Sequence, residues 1–287
     1  MIDKNAYYVD KTNLIENVLN EQNVFFIRPR RFGKTLNMSM LYYFFSIKEK
    51  ENAYLFNGLN ISKNKKAIKH QNQYPTLFIT LKDMKNSSYE KQMNRFKEII
   101  CLCAKNFLEL LDSDELLDSE KKLFQKYVDN ETEDNELERE IFNISYFLYK
   151  HYHQKVIILI DEYDVPLQAA YQYNYYDEMV EFLRSVFSSA LKTNDALEKG
   201  IMAGCLRISK ESIFTGLNNF KAYSILYKSK NEYFGFTKKE ILQLLKDYNL
   251  TDYVDEVKEW YDGYLFGNIE IYNPWSTLMY VDKKSHF

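Results

Sequence analysis

The chain has 287 residues, of which 46% are hydrophobic and 28% charged, and its formal net charge is −3. This length fits one large α/β domain or one domain with a small appendage, and the composition excludes general disorder. The net charge gives no support for nucleic-acid or membrane binding. Since we find no apolar run of about 18 residues and no signal-peptide pattern, we expect a cytoplasmic protein without a spanning helix. The odd number of cysteines argues against a disulfide framework and fits a reducing compartment.

The N-terminal part predicts a helix, a strand, a loop and a second helix, in that order. An amphipathic pattern predicts a helix over residues 12–20, with Thr12 as its N-cap. The continuous apolar run 24–27 is typical of a strand buried on both faces of a parallel sheet. A polar loop over 28–34 then leads into a helix over 35–47 that has a large apolar face.

Strands and helices keep alternating along the rest of the chain. Apolar patterns predict further strands over 76–81, 155–160 and 200–206, and helices within 89–150, 176–192, 236–249 and 252–260. This alternation indicates a three-layer α/β fold, with a mainly parallel sheet between helices. We therefore predict one domain over 1–235 and a C-terminal helical segment over 236–287, which starts a new helix near Asn273 and belongs to a longer natural chain.

The loop over 28–34 carries most of a phosphate-binding Walker A pattern, Gly-x-x-x-x-Gly-Lys-Ser/Thr. Gly33, Lys34 and Thr35 are present, but Arg28 stands in place of the first glycine. Gly33 lets backbone N–H groups face the phosphates, Lys34 reaches the β- and γ-phosphates, and the Thr35 hydroxyl binds Mg²⁺. The residues expected to contact ATP are Arg30, Arg31, Phe32, Gly33, Lys34, Thr35 and Leu36.

Two carboxylates follow the apolar run 156–160, as in a Walker B strand. A parallel strand carries such acids to the carboxyl edge of the sheet, beside the phosphate loop. Asp161 is expected to hold Mg²⁺ together with Thr35, and Glu162 to act as the general base on the attacking water. The order of the two motifs, each on the appropriate secondary structure, predicts a P-loop NTPase that binds ATP and Mg²⁺.

Several segments show that the chain resembles the AAA-ATPase-like family of bacterial proteins. The matching segments are Tyr8-Val9-Asp10-Lys11-Thr12, Arg28-Pro29-Arg30-Arg31-Phe32-Gly33-Lys34-Thr35, Asp161-Glu162-Tyr163-Asp164-Val165-Pro166 and Arg207-Ile208-Ser209-Lys210-Glu211-Ser212-Ile213-Phe214-Thr215-Gly216-Leu217-Asn218-Asn219. The resemblance implies an ATPase fold in which an extra strand separates the two motif strands. It also implies that the missing first glycine is usual in the family. Members often carry a restriction-endonuclease-like domain, but residues after 235 show no Asp…Glu-x-Lys pattern, so we do not expect nuclease activity.

Secondary candidates have two interpretations each. Arg207 or Ser209 could sense the γ-phosphate after the strand over 200–206, and we count Arg207 as catalytic; it could equally be a surface arginine. Arg30 and Arg31 could contact phosphate or an acidic neighbour such as Asp164, or be solvated loop charges. Tyr7 and Tyr8 could stack on adenine, although the chain has 25 tyrosines.

The sequence favours Mg²⁺-dependent ATP hydrolysis because Glu162 is present. Three alternatives stay open: a nucleotide-binding switch with little turnover, a DNA-associated module without its nuclease-like partner domain, and a degenerate interaction domain. The sequence does not decide whether the chain forms a homo-oligomer, and no clustering of basic residues supports a nucleic-acid partner.

Overall fold

The computed structural model describes residues 7–206, 220–227 and 230–285. Five strands form the main sheet: β1 (Asn23–Ile27), β2 (Thr76–Thr80), β3 (Val156–Asp161), β4 (Leu197–Gly204) and β5 (Lys221–Tyr223). All of them are parallel, in the order β2-β3-β4-β1-β5. A smaller antiparallel sheet has the order β6-β8-β7 and consists of β6 (Phe236–Thr237), β7 (Asp262–Phe266) and β8 (Ile269–Tyr272).

Helices cover both faces of the main sheet and form most of the C-terminal part. In chain order they are α1 (Asn13–Leu19), α2 (Lys34–Phe45), α3 (Lys65–Ile68), α4 (Tyr89–Ala104), α5 (Asp118–Asp129), α6 (Glu140–Tyr152), α7 (Val165–Gln172), α8 (Tyr176–Leu191), α9 (Lys238–Asp247), α10 (Val254–Tyr261) and α11 (Pro274–Ser285). Short 3₁₀ turns occur at Ile47–Phe56, Asn60–Lys63, Lys105–Asp112, Asp134–Arg139 and Thr251–Tyr253. In the described part of the chain, we find no helix with the length and apolar character needed to cross a membrane.

The strand β3 shows why the parallel strands read as continuous apolar runs. Val156, Ile158 and Ile160 belong to a core cluster with side chains of α4 to α8, on one face of the sheet. Ile157 and Leu159 belong to a second cluster with side chains of α1 and α2, on the other face. Because successive strand side chains point to opposite faces, an apolar run fits only a strand that is covered on both sides. The three-layer α/β prediction is confirmed.

The sheet order places the two predicted motif strands on either side of β4. In the parallel register, Ile27 of β1 pairs with Gly204, and Asp161 of β3 pairs with Ala203. The carboxyl ends of β1 and β3 therefore lie at one edge of the sheet, with the end of β4 between them. This arrangement confirms the extra strand that the family resemblance implies.

The C-terminal part has a core of its own and holds more than helices. Buried side chains of α9, α10 and α11 pack with Phe236 and Tyr272 of the small sheet. The Thr237 hydroxyl accepts a hydrogen bond from the Glu240 amide, while the Glu240 carboxylate accepts one from the Thr237 amide, so a capping box begins α9. The antiparallel sheet was not predicted, because β6 and β8 have only two and four residues and give no clear local pattern.

One predicted local contact differs from the structure. Thr12 does precede α1, but its side chain makes no capping hydrogen bond to that helix. Its hydroxyl donates to Asp10 Oδ1 at 2.6 Å and accepts from the Ile61 amide at 3.1 Å. A tertiary partner, which no local pattern reveals, has replaced the cap.

Candidate functional site

The loop between β1 and α2 turns sharply just before the helix. Gly33 precedes α2 with φ +81° and ψ 19°, and the Asn37 amide donates to the Gly33 carbonyl at 3.0 Å. A Cβ added at Gly33 would meet no atom within 4 Å, so the left-handed backbone, and not space, is what favours glycine. The first turn of α2 presents free N–H groups and the positive end of the helix dipole at the carboxyl edge of the sheet.

Arg28 occupies the position of the missing first glycine, and its side chain points away from the loop. The guanidinium is fully buried and donates to the carbonyls of Ile27 and Tyr223 and to Asn231 Oδ1. It also lies over the rings of Phe234 and Phe266, with Cζ 5.0 and 5.6 Å from the ring centroids. Arg28 thus joins the end of β1 to β5 and to the C-terminal part, and it does not line the cavity that Lys34 lines.

Lys34 is almost completely buried and spans the mouth of the loop. Its Nζ donates to the Pro29 carbonyl at 3.2 Å and to Cys205 Sγ at 3.0 Å. Cys205 directly follows β4, and burial raises the pKa of its thiol, although the Lys34 ammonium opposes this shift. The ammonium group is therefore held at the carboxyl end of the strand that separates the two motifs.

Asp161 lies beside Thr35 and Lys34, as the sequence analysis predicts. Its side chain is fully buried, and Oδ1 accepts a hydrogen bond from the Glu162 amide at 3.0 Å. Burial raises the pKa of this carboxyl, the Thr35 hydroxyl and the Lys34 charge oppose the shift, and the Glu162 charge adds to it. Among the described residues, Asp161 Oδ2 makes no hydrogen bond of ordinary geometry. A buried carboxylate oxygen without a donor is available to a ligand.

Glu162 is half-buried and has a left-handed backbone, with φ +58°. Its carboxylate lies within 4.8 Å of the Asp164 carboxylate and of Cys205 Sγ. The Asp164 carboxylate already accepts hydrogen bonds from the backbone amides of Cys205 and Leu206 and from Gln168 Nε2. Asp164 therefore fixes the end of β4, and Glu162 is the acid that can reach a ligand.

The predicted loop contacts fall into two groups. Arg30 donates to Gln168 Oε1 at 2.8 Å, and among the described residues no salt bridge joins it to Asp164. Arg31 stacks on Trp275 of α11, with Cζ 5.6 Å from the ring centroid. Phe32 is fully buried in a cluster with Phe266 and Ile271 of the small sheet. The loop thus touches the main domain through Arg30 and the C-terminal part through its next two residues.

A cavity of about 620 Å³ opens on one side of the loop. Its lining residues are Arg30, Arg31, Lys34, Lys82, Lys85, Glu162, Val165, Gln168, Ala169, Gln172 and Tyr173. Five of these side chains are cationic, and Glu162 is anionic. The cavity therefore has the charge that a polyphosphate needs, with one acid at its wall.

A smaller apolar cleft of about 90 Å³ opens on the other side of the loop. It is lined by Tyr7, Tyr8, Val9, Lys11, Phe32, Gly33, Leu36, Asn37, Tyr233, Gly235, Phe236, Pro274 and Leu278. Gly33 and Lys34 are neighbours in the chain, yet they line the cleft and the cavity respectively. The two openings therefore meet the loop at adjacent residues.

Some site residues were not identified from the sequence. Lys82 and Lys85 line the cavity from the segment between β2 and α4, and Cys205 contacts Lys34. Lys82 directly follows the predicted strand over 76–81, so its place at the carboxyl edge of the sheet could have been predicted from the sequence. Arg207 and Ser209, the candidates for γ-phosphate sensing, lie outside the described residues.

Comparisons with known proteins agree with this architecture. The chain is 25% identical over 283 residues to an uncharacterized protein in the vnfD 5′ region of Azotobacter chroococcum mcd 1. The match covers 97% of this chain and 49% of that relative, so the chain spans about half the length of the curated relative. The model of the AAA-ATPase-like family, described as a predicted AAA-ATPase, matches residues 1–214. The chain therefore belongs to the AAA-ATPase-like family.

Proposed function

We propose that this chain binds ATP together with Mg²⁺ at the loop before α2 and hydrolyses the γ-phosphate. One observation carries the proposal: Lys34, Thr35, Asp161 and Glu162 lie together at the carboxyl ends of β1 and β3, and Lys34 and Glu162 line the cavity that opens there. These residues divide three tasks of phosphoryl transfer to water: Lys34 stabilises charge, Thr35 and Asp161 bind the metal, and Glu162 orients the nucleophile.

The phosphates fit the loop side of the site. Backbone N–H groups at the start of α2 bind the inner phosphates, and Lys34 exchanges its Cys205 and Pro29 contacts for phosphate oxygens. Lys34 already lines the cavity, so it is close to where the phosphates would lie. Arg30 and Arg31 add positive charge at the rim of the cavity.

The residues at Asp161 fit a magnesium ion. Mg²⁺ prefers oxygen ligands and usually keeps several of its waters. The Thr35 hydroxyl would bind the ion, and Asp161 would hold it through water with Oδ2, the buried oxygen that makes no hydrogen bond of ordinary geometry among the described residues. When bound, the ion neutralises charge on the phosphates.

Glu162 is the proposed general base. It lies at the wall of the cavity, next to Asp161 in the chain, and its carboxylate is not used up by backbone amides as that of Asp164 is. A carboxylate in this place orients a water and accepts its proton as the oxygen attacks phosphorus. Arg207 stays a proposed γ-phosphate contact.

The apolar cleft is the proposed place of the adenine base. Tyr7 and Tyr8 line it from the N-terminal segment, Leu36 from α2 and Leu278 from α11. An aromatic and aliphatic lining suits the flat apolar base, while the phosphates extend past Gly33 into the cationic cavity.

A second candidate function is a nucleotide-binding switch with little turnover. The observation that favours it is the direct contact of Arg31 with Trp275 and of Phe32 with the small sheet, which links the loop to the C-terminal part. The loop conformation can therefore reach the C-terminal part without hydrolysis. Wild-type turnover on the order of 10⁻³ s⁻¹ or slower, as in unassisted switch GTPases, would favour the switch.

Calorimetry with Mg²⁺ and ATP tests the binding step. Lys34→Ala removes a charge-assisted phosphate contact, so we expect it to weaken ATP binding about tenfold or more. Comparable affinity in the wild type and in Lys34→Ala would contradict the proposed site. For the chemical step, Glu162→Gln should keep ATP binding and lower turnover by about 10² or more. Unchanged turnover in that variant would mean that another group is the base.

A further inference from the structure

The segment between β2 and α4 brings two lysines to the wall of the cavity opposite Lys34. In the parallel register of β2 and β3, Thr80 pairs with Asp161, and the Leu81 amide donates to the Asp161 carbonyl at 2.9 Å. The next residue, Lys82, therefore lies beside Glu162 at the carboxyl edge of the sheet. Lys85 follows one turn later and lines the same cavity.

This segment is anchored by buried groups, so its lysines have a defined position. Leu81 and Met84 are buried in the core, and the Met84 amide donates to the Leu81 carbonyl at 3.1 Å. Gln92 of α4 is also fully buried, and its Nε2 donates to the Met84 carbonyl at 2.8 Å. Because the apolar residues of this turn point inward, Lys82 and Lys85 are exposed on its other side.

No salt bridge engages either lysine within the described part of the chain. Elsewhere the protein pairs several lysines, for example Lys150 with Glu120 at 2.6 Å. Five cationic side chains line this cavity against one carboxylate, Glu162, so the cations repel one another. Such a group is stabilised by an anion of high charge.

We propose that Lys82, supported by the charge of Lys85, contacts the terminal phosphate and makes the site distinguish ATP from ADP. This inference rests on the proposed ATP-binding function. Lys34 lies on one side of Glu162 and Lys82 on the other. A phosphate between the two lysines is therefore the one next to the base, which is the group that hydrolysis removes. The inner phosphates stay on the loop amides and do not reach the β2 side.

The test compares ATP and ADP binding by calorimetry with Mg²⁺, on a Glu162→Gln background that limits turnover. We expect Lys82→Gln to weaken ATP binding roughly tenfold while ADP affinity stays within about twofold, because only ATP carries the contacted phosphate. Lys85→Gln should shift ATP affinity in the same direction by a smaller factor. Lys91→Gln, an exposed lysine of α4 that does not line the cavity, is the matched control and should change neither affinity.

The possible results separate this inference from the function on which it rests. An equal loss of ATP and ADP affinity in Lys82→Gln, or no loss, overturns the inference, while a loss of ATP binding in Lys34→Ala still supports the ATP site. Turnover is also compared in a Lys82→Gln variant that keeps Glu162. Slower turnover with unchanged ATP affinity also overturns the inference, because Lys82 would then act by positioning Glu162. Binding of neither nucleotide by the unsubstituted chain would overturn both proposals.

Discussion

Replacing Arg28 with glycine restores the first glycine of the phosphate-loop pattern, and the structure predicts that this change harms the protein. From the loop pattern alone, Arg28 looks like a defect that lowers nucleotide affinity. In the structure its guanidinium instead bonds Ile27, Tyr223 and Asn231 and stacks on two aromatic rings. The Arg28→Gly variant therefore separates two explanations of one residue.

The expected loss of stability follows from these contacts. Three buried hydrogen bonds contribute about 1 kcal/mol each, and the aromatic contacts add about 1 kcal/mol. Part of this is offset by the cost of burying the cation, which also lowers the pKa of Arg28 to about 10. We expect a net loss of about 3 kcal/mol in the free energy of unfolding. For a chain of this size, that lowers the Tm by roughly 6–12 °C.

Thermal and urea unfolding, followed by far-UV circular dichroism, measure this loss. The control is Arg95→Ala, which removes an exposed arginine paired only with Glu98 on the same helix and should change stability by less than about 0.5 kcal/mol. Unchanged stability of Arg28→Gly, together with tighter Mg-ATP binding, would refute the structural role and restore the interpretation as a defective phosphate loop.

Two further predictions concern a buried acid and the contact between the loop and α11. Burial raises the pKa of Glu140 to about 7 from its usual 4.5, so the folded carboxyl binds its proton more tightly than the unfolded one. This contribution to the free energy of unfolding is fully present below pH 4.5 and is lost as the pH rises to about 7. In urea unfolding between about pH 5.5 and pH 8, the wild type should therefore lose about 2 kcal/mol of stability relative to Glu140→Gln. The same pH dependence of stability in both proteins would contradict the raised pKa of Glu140. ATP should also change the tryptophan emission, because phosphates draw Arg31 from the Trp275 ring; Trp275→Phe should abolish the change, whereas Trp260→Phe, at the other tryptophan, should preserve it. If Trp260→Phe abolishes the change instead, the ATP-dependent motion is near Trp260 and not at the Arg31–Trp275 contact.

Most of the main sheet could be predicted, because its signals are local. The apolar runs of β1 and β3 reflect burial on both faces, which leaves no polar alternation along either strand. Asp161 and Glu162 come directly at the end of the apolar run of β3, and Gly33 follows β1 after a short loop, so their place at the carboxyl edge could be inferred from the sequence. The small sheet could not be predicted, because β6 has two residues and pairs with β8, more than thirty residues later. Its stability comes from packing, to which Phe32 of the loop contributes.

The sequence by itself determined the order of strands β1 to β4, the Gly33-Lys34-Thr35 pattern and the Asp161-Glu162 pair, since each depends on residues that are neighbours in the chain. The tertiary structure decided what Arg28 does, because its partner Asn231 is 203 residues away and no local pattern connects them. The tertiary structure also decided that Lys34 donates a hydrogen bond to Cys205, 171 residues away, and that Lys82 lines the same cavity as Glu162. Contacts of this kind depend on strand order, which brings distant chain segments to one edge of the sheet, and that order is fixed only when the whole core packs.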